Sequence, residues 1–458
     1  MHWHSWEDRA DANGKPILLY QYNRRSYWCH RFAAEALADP LIVREITRVT
    51  FPIAVDANVR PDLFEQYGLG GWPSLAVIDL DRGWITGARY MEADDLEDLM
   101  RRLYTIYEVP GRLEDVERSR ARLTARGRPV PLALNTVTES TYEAFAESMT
   151  IQANRTIPSV EAALFLWQTG RIDSETVDRV FDAGLENGDG LYVAGRITSD
   201  GVLRDEEVTL SRNAALLMSA AGMAAETAEA DWKDRAQRLS DALESTLGVR
   251  DATGPFYAAG LAGFVTADSV FAPTLYGVGR PPIDARWIPR WNAQMVSGLI
   301  HAKRIGVVVT DRWRAVVERL VGQYGPDGAP VDGEDTLADA ALTTRALLDV
   351  YDLDSSAVHL TMSERIANRA WVVHIAPRTE GAGQIRVEED QTAVDRHEPG
   401  AIAVLAESFV RLGSLRGRDE YLNRAERLLA AWIPRSTGYA ASAGALGRAL
   451  ALFVGDRT

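Results

Sequence analysis

Cys29 is the only cysteine in the chain, and it closes the run Ser26-Tyr27-Trp28-Cys29-His30; Gly70-Gly71-Trp72-Pro73 follows further on. Ser26 stands three residues before Cys29, the separation of the two cysteines in a C-x-x-C site. In such a site the first thiol, at a helix N-terminus, is an exposed thiolate whose pKa the amide dipoles lower, and the second resolves the mixed disulfide. A serine hydroxyl at position 26 cannot enter a disulfide. Cys29 is therefore expected either as a packed core thiol, as free cysteines commonly are, or as a single-thiol or peroxide-sensing group.

A second set of chemistry-bearing residues lies later in the chain. Asp189, Asp205, Glu206 and Glu207 could supply an acid and a base to a sugar, and Glu207 is the candidate base. Charged residues beside a turn are more commonly a solvated helix start. Tyr192, Trp287, Trp291 and Trp313 could line a sugar-binding mouth, although aromatics at helical spacing usually fill a core. His301 is a further candidate base. His2, His4 and His30 with Cys29 could be imagined as zinc ligands, but nothing in the spacing requires the chain start to fold back. No metal and no cofactor are expected, and no P-loop, H-E-x-x-H or G-x-S-x-G pattern occurs. Gly68-Leu69-Gly70-Gly71 precedes a strand, where a phosphate loop would open a helix.

The 458 residues fit two or three domains, and 46% apolar with 25% charged residues is a globular composition. The net charge of −15 opposes nucleic acid and anionic membrane as partners. No apolar run reaches membrane-spanning length and Met1-His2-Trp3-His4 opens no signal peptide, so the expected address is the cytoplasm. One cysteine permits no intrachain disulfide, which agrees with a reducing compartment.

Strands are expected at Pro16 to Tyr20, Phe51 to Asp56, Ser74 to Asp79 and Trp84 to Tyr90. Helices are expected at Trp28 to Leu37, Leu41 to Arg48, Pro61 to Tyr67 and Asp94 to Tyr104. Strand, helix, strand, helix, hairpin, helix is the order of a thioredoxin fold. After Val109-Pro110-Gly111 strands are expected to disappear, and about a dozen amphipathic helices of similar length, one of them over Glu207 to Ala221, read as pairs packed around a ring, an (α/α) toroid. The expected division is 1–108, a linker and first helix over 109–140, and the toroid over 141–458.

Gly14-Lys15-Pro16-Ile17-Leu18-Leu19, Ser26 to His30, Val55-Asp56-Ala57-Asn58-Val59-Arg60-Pro61-Asp62 and Gly70 to Pro73 together resemble, in order and spacing, the YyaL-type thioredoxin-like family. That family includes the spermatogenesis-associated thioredoxin-like proteins of animals. Leu203 to Ala214 looks like its V-P-H-F-E-K-M-L-Y-D-N-A, Trp291-Asn292-Ala293-Gln294-Met295 like its W-N-G-L-M, and Glu398-Pro399-Gly400-Ala401 approximates its P-S-G-N. The resemblance implies a thioredoxin-like domain followed by an (α/α)6-type toroid similar to six-hairpin glycosidases and N-acylglucosamine 2-epimerases. It also implies a cis Trp72-Pro73 bond facing the Ser26–Cys29 helix. Ser26, Trp28, Trp72 and Pro73 would then offer a peptide or protein site, and Tyr192, Trp291 and Asn292 a site for a small sugar-like ligand. The family's histidine and lysine correspond to Asp205 and Val208, and only Glu207 of that polar set is kept. The expected function is a redox-deficient binding or scaffold protein, or a divergent carbohydrate-acting one. A single-cysteine thiol oxidoreductase and a sugar isomerase or epimerase using the toroid carboxylates are the alternatives.

Overall fold

The computed structural model describes residues 2–69, 71–80, 83–108, 136–182, 190–193, 195–198, 201–205, 207–227, 230–261, 265–266, 283–332, 335–375, 395 and 398–457. The expected helix over 113–125, the Arg128-Pro129-Val130-Pro131 segment, Gly70, Asp189 and Glu206 lie outside them.

The N-terminal part is built on strands β1 (Ile17–Tyr22), β2 (Phe51–Asp56), β3 (Ser74–Asp79) and β4 (Gly83–Ala88), in the sheet order β2-β1-β3-β4. β1 runs parallel to β2 and antiparallel to β3, and β3 is antiparallel to β4. Helices α1 (Tyr27–Ala34), α2 (Pro40–Val49), α3 (Pro61–Tyr67) and α4 (Ala93–Glu108) complete a thioredoxin-like domain. The starts follow local rules: Asp39 accepts the Leu41 amide and Pro40 occupies the first turn of α2, whose Ile42, Ile46 and Val49 then point inward at helical spacing. The sheet is buried on both faces. Leu18, Val77, Phe32, Ile46 and Leu96 fill one side, and Ile17, Leu19, Ile53 and Leu63 the other.

Helices α5 (Glu139–Ala153), α6 (Val160–Gln168), α7 (Ser174–Asp182), α8 (Leu210–Glu226), α9 (Ala230–Leu247) and α10 (Pro289–Arg304) open the second part. α11 (Arg312–Gly322), α12 (Leu337–Asp354), α13 (Ala357–Ala370), α14 (Ala401–Arg416), α15 (Asp419–Ser436) and α16 (Gly444–Arg457) continue it. Among the described residues, α6, α8, α10, α12, α14 and α16 each pack on the next, and α16 packs back on α6, closing a ring. α7, α9, α11, α13 and α15 pack outside the inner helix that precedes each, and α5 packs outside α16. The sequence separates the two sets. Residues 290–300 of α10 and 339–350 of α12 are buried on every face, as in a helix enclosed all round, whereas α11 buries only Trp313, Val316, Val317 and Leu320. Gly444 makes the closure possible, since a Cβ there would stand 2.0 Å from the Ala162 nitrogen.

Two expectations change. Short strands do occur in this part, in hairpins Gly195–Thr198 with Gly201–Asp205 and Gly248–Asp251 with Gly254–Tyr257. The second turns because Asp251 accepts the amide and hydroxyl of Thr253 and Gly254 sits at φ +126°. The expected helix over Glu207 begins instead at Leu210: Val208 pairs with Leu261 as a strand, and Thr209 caps α8 by accepting the Arg212 amide.

Hydrogen bonds bring the N-terminal ends of the inner helices to one end of the ring. Asp395 accepts from Ser159 before α6, Gly400 before α14 and Ala445 in α16, and Arg290 in α10 reaches Glu398 before α14 and Asp339 in α12. No described helix is long and apolar enough to cross a membrane.

Candidate functional site

The turn from β1 into α1, Asn23 to Ser26, carries the altered redox motif. Ser26 is the N-cap residue of α1, in extended conformation with no side-chain capping bond. Cys29, one turn on, is 4% exposed; the Asn23 amide donates to its Sγ at 3.4 Å and the Tyr20 hydroxyl to its carbonyl oxygen. Burial pushes the thiol up to about 11, against the lowering effect of hydrogen bonds from Asn23 and Ser26, and the charges of Glu207 and Asp56 push the same way as burial. This is the reverse of the electropositive, part-exposed setting that makes a cysteine reactive.

Arg25, within that turn and directly before Ser26, is the central side chain. It is 1% exposed, and its Nε donates to Glu207 Oε1 at 2.7 Å and its Nη1 to Asp284 Oδ2 at 2.8 Å. Its guanidinium carbon lies 5.1 Å from the Trp291 ring centre. Asn23 donates its side-chain amide to the same Glu207 oxygen, and its own oxygen accepts from the Arg25 backbone and the Asn58 side chain. Two more arginines cross in the other direction. Arg286 bonds Asp56 at the end of β2 and also grips Asp284, while Arg290 Nη2 donates to the Asn58 carbonyl at 2.6 Å. Although burial alone would raise it, the Arg286 and Arg25 guanidinium groups hold the Asp284 carboxyl below its ordinary range. The thioredoxin-like domain thus lies over the N-terminal ends of α8 and α10, with the Ser26 loop turned into the contact.

Glu207, the candidate sugar base, is 9% exposed and is one pole of this network. Asp205 belongs to the strand Gly201–Asp205. Asn292 is fully buried and bonds the amide and carbonyl of Tyr257, as Asn213 bonds those of Tyr192. Tyr192, Trp291 and Trp313 are core residues, and the Trp291 indole donates to Glu398 at 2.8 Å. The expected aromatic mouth is therefore largely interior packing. Trp28 is exposed, edge-on to Tyr90; Trp72 stacks on Phe64 at 4.1 Å, and the Trp72-Pro73 bond is cis as the motif implied. His30 bonds the Arg24 carbonyl and His4 pairs beside Ile53 at the sheet edge. His301, in the last turn of α10, is part-buried, and burial lowers its pKa.

Arg25, Asn23, Asp284, Arg286, Arg290 and Glu398 escape a reading of motifs. The available signal was the Asn23-Arg24-Arg25 run directly before Ser26 and the polar Asp56 and Asn58 inside an otherwise apolar segment.

Residues 1–125 match the Thioredox_DsbH family, described as a protein of unknown function, DUF255. The N-terminal region is thus of the thioredoxin-like kind that its motifs resemble. A family 76 glycoside hydrolase from a bovine Bacteroides thetaiotaomicron strain is similar in structure, with 10% identity, a TM-score of 0.45 and 84% of each chain covered. Cellobiose 2-epimerase from Spirochaeta thermophila is similar at 12% identity and a TM-score of 0.43, covering 76% of this chain and 98% of that one. A D-mannose isomerase is similar at 14% identity and a TM-score of 0.39, covering 64% of this chain and 70% of its own. No curated protein matches the chain.

Proposed function

We propose that this protein is a redox-silent, small-molecule-binding protein in which the thioredoxin-like domain serves as a fixed cap on the toroid. The observation that carries the reading is the burial of Arg25. The residue next to the motif's first position is committed to Glu207 and Asp284 of the toroid, so the loop that would receive a protein disulfide is already occupied by an intramolecular partner. Ser26 and a Cys29 thiol pushed up to about 11 support the same reading from the chemistry. The ligand belongs to the toroid, and a reducing compartment such as the cytoplasm suits the lone thiol. Glu207 serves as a docking residue, since the Arg25 guanidinium and the Asn23 amide both donate to its Oε1.

Insulin reduction with dithiothreitol recycling tests the redox half: wild type runs at background. Turnover by wild type that Cys29→Ser abolishes overturns it. Deuterium incorporation beside the carbonyl of an aldose or ketose, abolished by Glu207→Gln in a protein that remains folded, overturns the docking role of Glu207.

A further inference from the structure

On the outside of the ring, the end of α9, the hairpin Gly248–Asp251 with Gly254–Tyr257 and the start of α11 border a cavity of about 450 Å³ that opens to solvent. Glu244, Val249, Arg250, Pro255, Arg312 and Ala315 line it. Its charged pair is locked in place. Glu244 Oε1 accepts from Arg312 Nε at 2.8 Å, with Nη2 at the same distance, and Oε2 accepts the Tyr257 and Thr310 hydroxyls, each at 2.9 Å. Arg312 Nη1 donates to the Val249 carbonyl at 2.7 Å. Glu244 and Arg312 nevertheless keep 25% and 19% of their side-chain surface accessible, so both border open space.

The hydrogen-bond inventory of the lining gives the sign of what fits it. Both oxygens of Glu244 are engaged, whereas a guanidinium carries five N–H groups and Arg312 has at least one left over on each terminal nitrogen. Arg250 is exposed and has no hydrogen-bond or ion-pair partner for its side chain among the described residues, so all its donors are unspent. Asp311, the other lining carboxylate, is exposed and bonded to Arg314 at 3.3 Å. Cancelling the pairs Glu244–Arg312 and Asp311–Arg314 leaves the positive charge of Arg250, in a chain whose net charge is −15. Guanidinium groups arriving from two elements suit a tetrahedral dianion, and Val249, Pro255 and Ala315 supply apolar wall. We infer that this cavity binds a small phosphomonoester, with its phosphate on Arg250 and Arg312 and its body against Val249, Pro255 and Ala315. The site is separate from the ring interior and stands whether or not the ring itself holds a ligand.

Calorimetry and thermal melting of the full chain with phenyl phosphate, inorganic phosphate, phenol and acetate test it. Phenyl phosphate binds and raises the melting temperature, inorganic phosphate binds more weakly, and phenol and acetate do neither at the same concentrations. Arg250→Ala, at an exposed position outside the Glu244–Arg312 pair, melts as wild type does and weakens binding at least about tenfold. Ala315→Glu sets a carboxylate against the phosphate and abolishes binding in a protein that remains folded. No binding of phenyl phosphate by wild type, or binding that both variants retain, overturns the assignment. Phenol binding as tightly as phenyl phosphate removes the anion, and acetate doing so removes the phosphate class. Inorganic phosphate as tight as the ester means an adventitious ion only.

Discussion

Arg25 Nε stands 2.7 Å from Glu207 Oε1, 182 residues away along the chain, and both side chains are almost wholly out of water. This pair joins the altered redox loop to the start of α8. A buried ion pair contributes little against an apolar alternative, but removing one partner strands the other. In Arg25→Met, Glu207 and Asp284 lose their shared donor. The expected cost is about 3–5 kcal/mol, read as a lower urea midpoint by tryptophan fluorescence. A double-mutant cycle with Glu207→Gln should show coupling between the two positions. Unchanged stability in Arg25→Met would remove the fixed cap.

Cys29 should behave as a core thiol. With the thiol pushed up to about 11, roughly one molecule in ten thousand carries the thiolate at pH 7. Iodoacetamide should label the native protein far more slowly than the same protein in urea. Comparable rates in the two states would show an accessible, activated thiol and reopen single-cysteine chemistry.

The thioredoxin-like domain was readable because its strands are short apolar runs, its helices carry Asp39-Pro40 and Arg60-Pro61 starts, and its motifs fall in order. Ser74 to Asp79 and Pro61 to Tyr67 match the observed elements end to end. The ring was readable from the number and spacing of amphipathic helices, whereas its short strands were not, because runs of two to five residues, such as Gly248–Asp251 or Val208–Thr209, are too brief for a period to show. Residue roles were the least legible. Asn292 and Trp291 stand out in sequence as polar and aromatic, yet their neighbours are set by tertiary contacts. Arg25 is paired with a residue 182 positions away, a separation at which sequence spacing says nothing.

Asn213 and Asn292 predict a matched pair of effects. Each sits within its inner helix and holds the backbone of a tyrosine, Tyr192 or Tyr257, through both its side-chain oxygen and nitrogen. Truncation to alanine leaves buried backbone groups unmet, at about 1–3 kcal/mol per site. Thermal melting should place both variants below wild type by similar amounts, with any ligand affinity retained. A stable Asn292→Ala protein that has lost ligand binding would return Asn292 to the binding site.

Asp395 gives the fold a pH dependence of definite sign. Burial, and next the nearby Glu161 charge, push its carboxyl up to about 7 from 3.8, despite hydrogen bonds from Gly400, Ala445 and Ser159. Between about pH 4 and 7 the folded chain therefore holds a proton that the unfolded chain has released. Its contribution to stability is full below the unfolded value and is lost as pH rises through the folded one, on the order of a few kcal/mol in all. The position matters because Asp395 ties together the starts of α6, α14 and α16, where the ring closes. Urea midpoints of wild type should fall relative to those of Asp395→Asn as pH rises across this window, since asparagine has no proton to lose. Parallel pH profiles for the two proteins would mean that Asp395 is ionised throughout and that the three hydrogen bonds outweigh its burial.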